Sequence, residues 1–121
     1  LLEWVLTHPK GATLPGFTDH FWNGVTTNHF AKVVRGIIEN DGFESGLSHL
    51  VPANELSKAD LVRQIASAFG RSDLMVEDTY SGKPINRTLS TTNPDFNRQL
   101  WVGAGYPEIP SIEHLIAEIA S

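Results

Sequence analysis

The strongest constraint on the fold is an apolar stripe with helical spacing over residues 27–39. Its apolar side chains are separated by three or four positions: Phe30, Val33, Val34, Ile37 and Ile38. This spacing predicts an amphipathic helix, which Thr26 or Thr27 can cap and which the Asn-Asp-Gly run at residues 40–42 is expected to end. An apolar helix face of this kind has to be covered by another layer.

Three further helices are predicted from capping residues that precede apolar side chains at helical spacing. Ser57 opens the first of them in a segment that resembles a capping box with Asp60 in place of Glu, and Gly70 is expected to end it in the left-handed conformation. Asn93 opens the next, and Ser111 opens the last. Residues 1–7 can add one or two helical turns.

Extended segments are predicted between these helices. They comprise a short segment over residues 12–18 that Pro15-Gly16 breaks, a strand-compatible stretch over 47–51 and a strand over 73–80. Residues 19–24 are predicted to form a loop. Because helices and strands alternate, we expect an α/β or α+β fold with four helices and a few short strands. The 121 residues are expected to form a single domain.

Composition excludes several classes of function. The formal net charge is -5, and Lys and Arg are scattered singly, whereas a nucleic-acid partner needs several cations on one face. The chain has no cysteine, which excludes thiolate metal sites and is typical of a reducing compartment, so we expect a cytoplasmic protein. No apolar run approaches the roughly 20 residues of a membrane helix. The sequence opens without Met or the basic start of a signal peptide, which favours a truncated or cleaved product.

The sequence contains none of the common catalytic motifs. It has no nucleophile elbow and no Gly-rich phosphate loop, and Gly103-Ala104-Gly105 is expected to be a turn after a helix. No metal-ligand spacing is found among the five histidines: His8, His20, His29, His49 and His114. We expect His29 and His114 on exposed helix faces and His49, with its ring hydrogen-bonded, at the edge of the core. No catalytic residue and no metal site are therefore predicted.

Two segments contain residues suited to ligand binding. Residues 17–27 place Trp22, Asn23 and Thr26 directly before a helix N-terminus, which suits an anionic or polyhydroxylated ligand and stacking on a flat ring. Residues 85–92 place Arg87, a good phosphate ligand, among hydrogen-bonding side chains. Composition alone favours a packed, capped loop for the first segment, and a surface arginine explains the second equally well.

These segments belong to a series of short stretches that, taken in order and with their spacing, resemble a known family. The stretches are LLEWVL (1–6), GFT (16–18), FWNGVTT (21–27), FAKV (30–33), GLSHL (46–50), SKADL (57–61), RTLST (87–91), FNRQL (96–100) and IPSI (109–112). They are similar to the C-terminal half of the dTDP-4-dehydrorhamnose reductase-like branch of the extended short-chain dehydrogenases/reductases.

The resemblance implies a parent enzyme with an N-terminal Rossmann half that binds NAD(P) through a Gly-rich turn. In that family a Tyr-x-x-x-Lys pair delivers the proton while hydride leaves the nicotinamide. Neither Tyr80 nor Tyr106 has a Lys four residues on, since Pro84 and Pro110 stand there. The resemblance therefore implies a substrate-side part that is not catalytic alone and binds no cofactor itself, with NAD(P) held by the absent lobe.

The resemblance also implies partners and contacts. Trp22, Asn23, Thr26 and Arg87 would contact a nucleotide-sugar substrate, although Thr88 stands where the family commonly has Pro. The N-terminal Rossmann lobe would be the second partner, and an uncovered apolar patch could also drive homo-oligomer formation. A sugar-nucleotide epimerase or a non-catalytic regulatory homologue would share this shape. A stand-alone binding or interaction module is the alternative from a different class.

Overall fold

The computed structural model describes residues 1–41 and 46–121. Ten elements follow one another: α1 (Leu2–Leu6), β1 (Thr13–Phe17), β2 (His20–Trp22), α2 (Thr27–Glu39), β3 (Leu56–Ser57), α3 (Lys58–Ala68), β4 (Met75–Thr79), β5 (Ile85–Arg87), α4 (Pro94–Gly103) and α5 (Ile112–Ala120). The mixed α/β class is confirmed. The described residues hold five helices rather than four, because the turns over residues 1–7 form the short helix α1.

Side-chain caps confirm the predicted helix starts. Thr26, Ser57, Asn93 and Ser111 each accept a hydrogen bond from the backbone N–H three residues further on. A cap of this kind satisfies an amide that has no partner within the helix and contributes about 1 kcal/mol. Gly70 follows α3 with a φ of 72°, which confirms the left-handed end predicted there.

The predicted end of α2 is confirmed, whereas the strand predicted at residues 47–51 is not present. Asn40 caps α2 as expected, whereas Gly42 lies outside the described residues. The strand at 47–51 was wrong: residues 46–51 form no strand, and Leu47 is 92% exposed. A strand needs a neighbour for its N–H and C=O groups, and the two sheets of the described residues do not include this segment.

Two small sheets order the strands. β1 pairs in parallel with β4. In the second sheet, β2 lies between β3 and β5, antiparallel to β3 and parallel to β5, with Trp22 opposite Arg87. The predicted loop over residues 19–24 was therefore wrong for its middle part, because partners more than 30 residues away make it a strand.

β1 continues through Pro15 and Gly16, where the sequence predicted a break. Pro15 stands opposite Glu77 in the pairing with β4. Proline has no N–H to donate, but an edge strand tolerates it because one side of that strand needs no hydrogen bonds. β1 has only β4 as a neighbour in the part of the chain that the structure describes.

Two clusters of buried apolar side chains form the core. The first centres on α3, whose Leu61, Val62 and Ile65 pack with Val5 and Leu14. The second joins α2, α4 and α5 and consists of Val33, Trp101, Tyr106 and Leu115. Burial of each such side chain contributes roughly 1.5–3 kcal/mol. No helix among residues 1–41 and 46–121 is long and apolar enough to cross a membrane.

The apolar side of α2 is only partly covered. Val33 is buried and Ile37 packs against the second cluster, as the spacing predicts. Phe30, Val34 and Ile38 are instead exposed by 55%, 38% and 75%. Because they are four residues apart, they form one line along the helix, here called the α2 stripe. Within the described residues, the α2 stripe is the part of the predicted apolar face that lacks a covering layer.

Candidate functional site

A cavity lies between the second sheet and the helices α1, α2, α3 and α5. Its volume is about 610 Å³, and it is called the central cavity below. Helices α3 and α5 supply most of its apolar wall: Leu61, Ile65, Ile112, Leu115, Ile116 and Ile119. A largely apolar cavity with a few polar groups is the usual form of a small-molecule site.

Basic and aromatic side chains from different elements meet at this cavity. Trp22 of β2 and Arg87 of β5 are neighbours in the parallel pairing, and both line it. Lys58, at the start of α3, also lines it. No Asp or Glu is found among the described lining residues, although the whole chain carries a net charge of -5. The cavity is therefore suited to an anionic ligand that also has an apolar or flat part.

The position of Trp22 depends on the absence of a side chain at Gly24. A Cβ atom at Gly24 would lie 2.5 Å from Cε2 and 2.7 Å from Nε1 of the indole. Real Cβ contacts are essentially never this short, so any larger residue at position 24 would displace the ring. Gly24 thus lets the indole fold back over the chain beside the cavity.

Asn23 connects the two segments that the sequence singles out. Its side-chain Nδ2 donates to the Leu89 carbonyl at 2.7 Å, and its Oδ1 accepts from the Leu89 N–H at 2.6 Å. Asn23 is 8% exposed and is not a lining residue of the cavity. The structure thus brings Trp22, Thr26 and Arg87 together at one cavity, whereas the amide of Asn23 is used to hold the backbone.

Thr26 links the cavity to a buried histidine. It lines the cavity, and its Oγ1 accepts from the His29 N–H at 3.1 Å while lying 2.5 Å from the His29 Nδ1. The exposed position predicted for His29 was wrong, since its side chain is fully buried. Desolvation lowers the pKa of His29 below its ordinary value, and the nearby Glu118 carboxylate only partly opposes this.

Glu118 of α5 is the centre of a polar cluster that includes His29. Its Oε1 lies 3.6 Å from Nε2 of His29 and 3.2 Å from Nε2 of His114, and it accepts from the Tyr106 hydroxyl at 2.8 Å. The Lys32 ammonium lies 3.3 Å from its other oxygen. Burial alone would raise the pKa of Glu118, but the hydrogen bonds from Tyr106 and Lys32 outweigh burial and lower it.

The other two histidines with a predicted position have different outcomes. His114 lies on an exposed helix face, as expected. His49 is exposed rather than at the edge of the core, although its Nδ1 does lie 3.1 Å from the Ser90 carbonyl oxygen. Among the described residues, no group of three potential His, Asp or Glu ligands is placed to hold a metal ion.

Lys58 and His20 are cavity residues that the sequence interpretation missed. Lys58 follows Ser57, which pairs with Phe21 in the second sheet, and this pairing brings the lysine to the cavity. Its Nζ lies 5.3 Å from the ring centroid of Phe17, within the range of a cation–π contact. The available sequence signal was weak: a lysine at the first position of a capped helix.

The fold of the chain was compared with those of known proteins. No model of a known protein family matches this sequence, and no curated protein matches it. A solved dTDP-4-dehydrorhamnose reductase from Clostridium acetobutylicum is similar in structure, with a TM-score of 0.64 and 18% sequence identity. The match covers 97% of this chain and 40% of that chain. The chain therefore shares the fold of part of that enzyme and spans less than half of its length.

Proposed function

We propose that this chain is the substrate-side part of an NAD(P)-dependent nucleotide-sugar reductase and is not catalytic alone. The central cavity carries the proposal, because Arg87, Lys58 and Trp22 line it without a described carboxylate. A nucleotide sugar has a diphosphate for the two cations, a flat face for the indole and hydroxyls for Thr26. The fold shared with part of a dTDP-4-dehydrorhamnose reductase supports the same proposal.

The cofactor is assigned to a second lobe rather than to this chain. Nucleotide cofactors are commonly held by a Gly-rich turn between a strand and a helix. The sequence has no such turn, and Gly103 and Gly105 instead flank the end of α4. The role of the present residues is then to bind and orient the substrate. The α2 stripe is a surface that a nucleotide-binding lobe would cover.

Titration with dTDP tests the ligand class, with binding followed by NMR shifts of backbone amides. We expect weak binding, since half the cleft is absent, with shifts concentrated around Trp22 and Arg87. Arg87→Gln should weaken it roughly tenfold, the usual effect of losing one charge-assisted hydrogen bond. Arg98→Gln is the matched control, because Arg98 is exposed on α4 and does not line the central cavity.

Two results would contradict the proposal. Equal weakening by the Arg87 and Arg98 variants would show that dTDP responds only to overall charge. Tight binding of NAD(P)H to these 121 residues would contradict the assignment of the cofactor to another lobe.

The coding sequence upstream of Leu1 tests the division into two lobes. A Gly-rich βαβ unit and a Tyr-x-x-x-Lys pair encoded there would support the proposal. A start codon directly before Leu1 would instead support a stand-alone binding module.

A further inference from the structure

We infer that the protonation state of His29 determines whether the Thr26 hydroxyl donates or accepts a hydrogen bond at the central cavity. While His29 is neutral, Thr26 offers a ligand only an acceptor. Protonation of His29 turns Thr26 into a donor. His29 is thus a specificity-determining residue that acts through Thr26, and this inference rests on the ligand site proposed at the central cavity.

The tautomer of neutral His29 follows from the charge beside it. Nε2 of His29 is buried without a hydrogen-bond partner and lies 3.6 Å from Oε1 of Glu118. This distance is too long for a hydrogen bond, but a carboxylate at this range favours a proton on Nε2 over a bare lone pair. The proton of the neutral ring therefore resides on Nε2, and Nδ1 is an acceptor.

An acceptor at Nδ1 fixes the direction of the Thr26 proton. Oγ1 of Thr26 lies 2.5 Å from Nδ1, so its hydroxyl donates to the ring. The same oxygen accepts the His29 N–H at 3.1 Å. A hydroxyl has one proton and two lone pairs. One lone pair is left for a ligand in the cavity, which suits a sugar hydroxyl and disfavours a phosphate oxygen.

Protonation of His29 reverses this arrangement. Nδ1 then carries a proton and donates to Oγ1 of Thr26, whose own proton becomes available to the cavity. A ligand phosphate oxygen can accept it, and charge-assisted hydrogen bonds of this kind are the stronger ones. The second ring proton, on Nε2, faces Glu118, so the charged ring has a carboxylate beside it.

The groups that face His29 determine where it titrates. Glu118 on α5 favours the charged ring, whereas His114 on α5, Lys32 on α2 itself and burial disfavour it. Tyr106, in the connection between α4 and α5, has its ring centroid 6.3 Å from that of His29 and donates to Glu118. Burial is the largest of these effects, so the pKa of His29 lies below the ordinary 6.5 and the change in Thr26 occurs below that pH.

NMR of the ring nitrogens, in protein that contains isotope-labelled histidine, tests the tautomer of His29 without any ligand. At about pH 7.5, where an ordinary histidine is neutral, we expect His29 to show a protonated Nε2 and a bare Nδ1. On acidification both nitrogens should become protonated below pH 6.5. A proton on Nδ1 in the neutral ring would overturn the inference, because Thr26 would then never need to donate to it.

A dTDP titration then tests the consequence for binding at two pH values, one on each side of the His29 transition that the ring-nitrogen spectra locate. Thr26→Ser retains a hydroxyl and Thr26→Val removes it, and both are made in a His20→Gln background because His20 also lines the cavity. The dTDP phosphate titrates equally in both variants. We expect acidification to tighten dTDP binding roughly tenfold more for the serine than for the valine variant.

The outcomes separate this inference from the proposed function. Equal pH dependence of dTDP binding in the serine and valine variants would overturn the role of His29. Far-UV circular dichroism serves as the folding control, and we expect the serine and valine variants to have equal helix content. Failure of dTDP to bind at either pH would contradict the proposed function, while the ring-nitrogen result still decides the tautomer.

Discussion

At the scale of single residues, Asn23 shows how a side chain suited to ligand binding can instead hold the site together. Both ends of its carboxamide are bonded to the backbone of Leu89, which joins the end of β2 to the segment after β5. The identity of the residue could be read from the sequence. Its partner could not, because the two positions are 66 residues apart.

Replacing Asn23 should therefore affect folding more than ligand contact. We expect Asn23→Ala to lower the free energy of unfolding by about 1–3 kcal/mol, since two partly buried hydrogen bonds are lost. Urea denaturation measures this change. Asn28→Ala is the control, because Asn28 is an exposed lining residue of the same cavity, and we expect a change within about 0.5 kcal/mol. Equal effects of the two substitutions would contradict the bridging role.

His29 makes stability depend on pH with a definite sign. Its pKa is lower in the folded chain than the ordinary value of 6.5, so the unfolded chain binds the proton more readily. The free energy of unfolding should therefore be highest above pH 6.5 and fall as the pH decreases from 6.5 toward the folded-state pKa. Urea denaturation across this range measures the fall, and His29→Gln should reduce it. The lowered pKa of Glu118 acts in the same direction, but only below 4.5.

At the scale of elements, helices were predictable and sheet partners were not. The starts of α2, α3, α4 and α5 depend on a capping side chain within three residues, which is local information. β2, by contrast, is a strand because β3 and β5 pair with it from distant parts of the chain. The burial of His29 was missed for a similar reason, since α5 supplies part of the cluster that surrounds it.

α2 and α4 cross closely because Gly36 has no side chain, a requirement that the apolar spacing of α2 does not indicate. A Cβ atom at Gly36 would lie 2.5 Å from the Gly103 carbonyl oxygen and 2.7 Å from its carbon. Both are backbone atoms, so the two helices would have to move apart. We expect Gly36→Ala to lower the free energy of unfolding by roughly 1–3 kcal/mol, as measured by urea denaturation.

Gly103→Ala is the matched control for this crossing. A Cβ atom at Gly103 would meet only Nδ2 of Asn40 at 3.6 Å, an ordinary contact. Alanine also loses less backbone entropy than glycine in a helix, so stability should stay the same or rise by up to about 1 kcal/mol. A comparable loss for both variants would mean that helix separation at Gly36 is not the cause.

At the scale of the whole molecule, the chain covers the apolar side chains of its two core clusters but leaves part of the apolar face of α2 exposed. The first cluster, around α3, and the second, around Trp101, each bury their own apolar residues. The α2 stripe lacks a covering layer among the described residues. Segment 46–51 has no strand partner there, and side chains hold it instead, since Val51 is hydrogen-bonded to Asn97 and Trp101. The sequence pattern correctly gave an apolar face on α2 but could not state which part the chain itself would cover.

The α2 stripe should make the isolated chain self-associate, because exposed contiguous apolar surface favours contact with a second apolar surface. We expect light scattering at high micromolar concentration to give a mass above the 13.3 kDa of one chain. The double substitution Phe30→Glu and Ile38→Glu should restore the single-chain mass with little loss of stability, since both side chains are exposed. Met75→Glu with Tyr80→Glu adds the same charge at exposed positions away from the α2 stripe and should leave association unchanged. If this control pair also dissociates the oligomer, net charge rather than the α2 stripe governs association. If a nucleotide-binding lobe covers the α2 stripe, adding that lobe should suppress association as the glutamate substitutions do.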